Sequence, residues 1–101
     1  QSQIFFMLYN NKIILMNIIE LIAIVKNKLE NEIVIQELKI EDKSFLHKNH
    51  KGHQEGKFHL KLIIKSDMLS KLSKITSTKK IYSVLNLELK EHIHSIQILF
   101  D

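Results

Sequence analysis

The chain has 101 residues, is 45% hydrophobic and 26% charged, contains no cysteine and carries a net charge of +4. That length fits one domain with one modest core. The missing thiols exclude disulfides and any thiolate metal site built by this chain alone.

The fifteen positive charges are all lysine. Phosphate could be met by point charges but not by arginine's bidentate fork. A reducing, cytoplasmic setting is the plain expectation for a small domain with no disulfide.

The lead "QSQIFFMLYNNKIIL" is apolar but broken by Asn10, Asn11 and Lys12. Neither it nor the run over 13–25 reaches the ~20 apolar residues of a membrane span. No small-residue cleavage site marks a signal peptide. Residues 1–15 are expected to be an N-terminal extension: an extra strand, a short helix or a start-site artefact. The domain proper is expected over 16–101.

Asn17 with Glu20 three residues on has the form of a capping box. Ile18, Leu21, Ile22, Val25 and Leu29 follow at helical spacing, which predicts a first helix over 17–30. From 33 to 41 the pattern alternates. Val34, Leu38 and Ile40 share one face, so a half-buried strand is predicted.

The segment "HKNHKGHQEGKFH", from His47 to His59, holds four of the six histidines and both glycines. It lacks apolar periodicity and is read as part of a long loop of the kind that is often functional. "KFHLKLIIK" alternates again, with Phe58, Leu60, Leu62 and Ile64 on one side. It predicts a second strand, antiparallel to the first.

"SDMLSKLSKI" opens with a Ser-Asp cap, and Leu69, Leu72 and Ile75 predict a short helix. A longer helix is expected from a cap at Ser77 or Thr78 to about 91, with Tyr82, Leu85 and Leu89 on one stripe. "HIHSIQILF" alternates once more and predicts a third strand. His94, Ile96, Ile98 and Phe100 share one face of it; Ile93, Ser95, Gln97 and Leu99 share the other. The fold class is therefore α+β, a single small domain of α-β-β-α-α-β order, with a three-stranded mixed sheet and helices on one face.

Catalytic chemistry finds no residues to carry it. No Gly-x-Ser-x-Gly elbow exists, and two glycines in all leave no phosphate loop. An enzyme is not expected. His47, His50, His53 and His59 have the ligand type for zinc, yet structural zinc sites usually pair histidine with cysteine. A solvated loop is at least as good a reading for each. His59 is the weakest candidate, because it lies in the predicted strand and points away from the Phe58 face, either structural or exposed.

His94 is either a histidine at the core margin or an imidazole that a rigid strand presents to an ion. Lys71, Lys74, Lys79 and Lys80 surround the two-helix unit, which has the outline of a DNA-binding helix-turn-helix; a solvated lysine face is the alternative. The element order also suits a KH-like RNA-binding domain, but its Gly-x-x-Gly loop is absent from "SKITSTKK".

The segments "EDKSFLH", "KFHLKLIIKSD" and "KKIYSVLNLELKEHIHSI" are similar, in order and spacing, to the BolA family over about 17–100. The D-x-S-x-x-H pattern, the strand ending in Ser-Asp, the Ile-Tyr helix and the I-H-x-I strand carry the resemblance. It implies a BolA fold with the class II KH-like topology.

It also implies a non-enzymatic role beside a monothiol glutaredoxin in iron–sulfur trafficking and iron or redox regulation. A [2Fe-2S] cluster would be shared by the pair and held by neither this chain alone nor its histidines alone. The glutaredoxin and its glutathione would supply thiolates. This chain would supply His94 from the last strand and His47 from the loop, with His50 as the alternative.

Alone, such a chain is expected to be a monomer or a weak homodimer. Where the family has an aromatic-x-Gly and an Arg-His-Arg, this chain has Leu69-Ser70-Lys71 and Ser77-Thr78-Lys79. Those departures bear on DNA contact and on the partner-facing surface.

Overall fold

The computed structural model of the protein describes residues 17–44 and 57–101. The expectations for residues 1–15 and for His47, His50 and His53 lie outside these residues. The capping box forms as expected. The Glu20 N–H donates to Asn17 Oδ1 at 2.9 Å, and the Asn17 N–H donates back to Glu20 Oε1 at 3.3 Å. Behind it α1 runs over Ile18–Glu32 and buries Leu21, Val25 and Leu29.

The helix ends at Ile33, whose extended backbone forms its C-cap. The first strand, β1, therefore starts later than its alternation predicts, at Glu37–Asp42. Ile33 is buried at the end of the helix, and Val34 is exposed in the connection that follows. Leu38 and Ile40 do pack on the core.

The second strand, β2, spans Phe58–Lys65 and lies in the middle of the sheet. It pairs antiparallel with β1, from Glu37↔Lys65 to Asp42↔Leu60. The third strand, β3, spans Ile93–Phe100 and runs parallel to β2. Between them lie three helical pieces: α2 (Asp67–Ser70), α3 (Lys74–Val84) and α4 (Asn86–Glu91).

The core joins Leu21, Val25 and Leu29 to Leu60, Leu62 and Ile64 of the central strand, and to Leu69, Ile81, Leu85 and Ile93. Each fully buried aliphatic side chain contributes roughly 1.5–3 kcal/mol, so this one cluster supplies the stability of a small domain. The predicted α+β architecture is the observed one.

The helical crossover departs from expectation in detail. The α3 N-cap is Ser73, not Ser77 or Thr78; Ser73 Oγ accepts from the Thr76 N–H at 3.0 Å. Ser77 is buried inside the helix and donates to the Leu69 carbonyl at 3.1 Å. Leu72 and Ile75, predicted to be inside, are exposed. The predicted long helix breaks at Leu85 into α3 and α4. Its buried stripe is Ser77, Ile81, Leu85 and Glu88, which leaves Tyr82 outward.

Ser66 fixes the entry to this crossover. Its Oγ donates to the Val34 carbonyl at 2.7 Å and accepts from the Leu69 N–H at 3.1 Å. A cap of this kind is worth about 1 kcal/mol, and losing the tie to Val34 adds to it. Ser66→Ala is expected to lower stability by about 1–2 kcal/mol, which thermal circular dichroism would read as a midpoint lower by roughly 5–10 °C.

Candidate functional site

The sheet positions the last-strand histidine in an unexpected way. Alternation places His94 with Ile96, Ile98 and Phe100 and puts Ile93 on the other face. Instead Ile93 is buried in the core, and Ile96 and Ile98 pack against that same core. Ile93 and Ile96 are three residues apart, so one extra residue must interrupt the alternation. The register shows where: Phe58 pairs with Ile93, but His59 pairs with Ser95.

His94 is thus the extra residue of a β-bulge. Bulges are uncommon between parallel strands, and they re-aim side chains near functional sites. The result is a correction: His94 is not a core-margin residue. Its side chain is exposed, and its ring packs against the ring of His59.

His59 is the residue that the sequence ranked lowest among the loop histidines. It is 4% exposed. Its ring centroid lies 4.9 Å from that of His94, with the planes at 64°, an edge-to-face contact. Its Nδ1 shares a 2.7 Å hydrogen bond with Ser95 Oγ, the direction set by the tautomer.

The same residue ties down the exit from β1. The His59 N–H donates to Ser44 Oγ at 3.0 Å, and its carbonyl accepts from the Lys43 N–H at 2.7 Å. The Ser44 N–H in turn donates to Asp42 Oδ1 at 2.9 Å. The D-x-S part of the D-x-S-x-x-H pattern therefore has a structural job: it locks the exit from β1 onto β2. The start of β2 is held by the Phe58 N–H, which donates to the His92 carbonyl at 2.9 Å.

Positive charge borders this ground. Lys43, Lys61, Gln97, His59 and Ser95 line a shallow depression beside the bulge. Glu41 sits between Lys39 and Lys43, each 3.2 Å away, and their hydrogen bonds, that of Lys39 first, hold its carboxyl below the usual carboxylate range. Among the described residues no three His, Cys, Asp or Glu side chains form a metal-holding group. Among them too, no helix is long and apolar enough to cross a membrane.

The lysines of the alternative reading lie elsewhere. Lys71 is the C-cap of α2, Lys74 opens α3, and Lys79 and Lys80 lie on α3. Lys74 and Lys79 flank an open depression that also includes Ile75 and Tyr82. The connection over 71–73 suits a helix-turn-helix, but α2 is a single turn of 4 residues. That is short for the first of two packed helices.

The described elements run α-β-β-α-α-α-β around a three-stranded mixed sheet, with an exposed histidine on the last strand. A family model described as "BolA-like protein" matches residues 29–100. The chain belongs to the BolA family.

It is 31% identical over 75 residues to the DNA-binding transcriptional regulator BolA of Haemophilus influenzae, a match covering 74% of this chain and 70% of that one. It is 32% identical over 80 residues to SufE-like protein 1, chloroplastic/mitochondrial, of Arabidopsis thaliana, covering 74% of this chain. The chain spans only 22% of that longer relative. Among solved structures, BolA1 from Arabidopsis thaliana superposes with a TM-score of 0.67 at 27% identity, covering 78% of this chain and 87% of that chain.

Proposed function

We propose that the protein is a non-enzymatic adaptor that pairs with a monothiol glutaredoxin and shares a [2Fe-2S] cluster with it, in iron–sulfur trafficking and iron or redox regulation. The observation that carries this reading is the placement of His94. A rigid strand and a bulge bring one imidazole to the surface of a chain that has no cysteine. Family membership supports the same reading.

The described residues fit one ligand position of such a cluster. His94 would fill it, and His47 or His50 would fill a second; both follow Ser44, whose Oγ accepts from the His59 N–H of β2. The thiolates would come from the glutaredoxin and its glutathione. Imidazole in place of thiolate generally raises the reduction potential of such a cluster. Lys43 and Lys61 at the rim suit the negative charge of a thiolate-ligated cluster.

The single chain would hold no cluster and remain a monomer or weak homodimer in a cytoplasmic setting. Mixing it with a recombinant monothiol glutaredoxin and glutathione, with iron and sulfide present, tests this on a sizing column. A heterodimer that carries iron is the expected product. Co-elution without iron, or no co-elution, would remove the reading.

A second reading rests on the name of the Haemophilus relative and on α3. From Met68 to Leu87 the chain has four lysines and no acidic residue. A DNA-binding regulator would use Lys71, Lys74, Lys79 and Lys80. It would bind duplex DNA with an affinity that falls steeply with salt, and Lys79→Glu with Lys80→Glu would abolish that binding. The absence of arginine and the exposed Ile75 and Tyr82 on the same face favour the first reading.

A further inference from the structure

We infer that His59 is a positioning residue: it holds the His94 imidazole in the orientation in which it ligates. This rests on the ligand role proposed above for His94.

A ligand on a strand end needs a fixed side-chain direction, because every rotamer it samples must be given up on binding. Exposed histidines ordinarily sample several. His94 has an additional freedom, since it is the extra residue of a bulge and has no cross-strand partner in register. Three contacts remove these freedoms.

The first is the ring contact itself, 4.9 Å between centroids at 64°. The second is the Ser95 Oγ to His59 Nδ1 bond of 2.7 Å, which stops the His59 ring from turning. The third is the Ser44 Oγ bond to the His59 N–H at 3.0 Å, which anchors the backbone under the ring. Metal-binding histidines commonly depend on neighbours of this sort for their orientation.

Burial decides between two roles for His59. At 4% exposed, it cannot reach an iron held by another protein without leaving its site. His94, one strand away, is exposed. The buried ring is the support and the exposed ring is the ligand.

The test has two parts, of which the first uses no cluster. In the free protein, NMR should show contacts between the His59 and His94 ring protons and a single χ1 rotamer for His94. His59→Ala should average that rotamer; Ser95→Ala, which removes the hydrogen bond but keeps the ring contact, should average it in part. His59→Phe, which keeps the ring contact but not the Ser95 bond, should return the rotamer to the Ser95→Ala level.

In the second part, the cluster-bearing complex with a monothiol glutaredoxin should form roughly twofold to tenfold more weakly with His59→Ala, the size of one edge-to-face contact. The electron paramagnetic resonance spectrum of the reduced complex should broaden, and His59→Phe should restore most of both. A His94 rotamer that is averaged in the wild type, or that ignores His59→Ala and Ser95→Ala, overturns the inference. So does a complex that His59→Phe fails to rescue while the protein stays folded, since the nitrogen itself would then be needed. If His94→Ala leaves the complex unchanged, the ligand role falls while the rotamer result stands by itself.

Discussion

Lys28→Ala is expected to destabilise the domain by about 2–3 kcal/mol. Lys28 Nζ lies 2.7 Å from Glu88 Oε2, with side-chain exposures of 38% and 5%. The pair bridges α1 and α4. Removing the lysine would leave a carboxylate buried with no opposite charge, a change that costs 3–5 kcal/mol in fully buried pairs. Lys28 is more than a third exposed, so water reaches the seam and the cost is expected to fall below that range.

The opposite truncation, Glu88→Ala, should be milder, because the freed lysine can turn to solvent. A joint Lys28→Met and Glu88→Leu change should return most of the loss. Urea unfolding of the three variants reads all of this. Equal, small losses for both single variants would show that the pair is effectively solvated.

The seam matters for the site as well. The Glu88 carbonyl accepts from the His92 N–H at 2.8 Å, and the His92 carbonyl accepts from the Phe58 N–H at 2.9 Å. The ion pair therefore anchors the chain just before the bulge that aims His94.

Features set by one element were legible in the sequence. The Asn17 and Glu20 capping box, the β2 alternation and the order of elements needed only local spacing. The bulge was not legible, since register belongs to two strands and "HIHSIQILF" alternates well by itself. Only the pairing of Phe58 with Ile93 and of His59 with Ser95 reveals the extra residue.

The α3 cap failed for a related reason. Ser73, Ser77 and Thr78 are all good caps, and the choice is made by the Leu69 carbonyl, which takes the Ser77 hydroxyl. Glu88 reads as a solvent-facing charge until Lys28 is seen beside it. His59 was placed correctly on the strand side opposite Phe58. Its worth was missed because that side was expected to face solvent, whereas His94, Ser95 and Ser44 all reach it.

The second large effect is expected from His94→Ala. The exposed imidazole stands on a strand that is locked to the middle of the sheet, so its loss should leave the fold unchanged while removing a ligand. Even residues that only support a ligand typically change metal affinity 10–100-fold. Loss of the ligand itself should weaken cluster sharing by about a hundredfold or more.

The decisive measurement is the visible and electron paramagnetic resonance spectrum of the cluster reconstituted with a monothiol glutaredoxin, glutathione and either the wild-type chain or His94→Ala. The wild type should give a spectrum distinct from that of the glutaredoxin alone, and His94→Ala should return it to the glutaredoxin's own. Identical spectra and identical complexes for the wild type and His94→Ala would contradict the assignment.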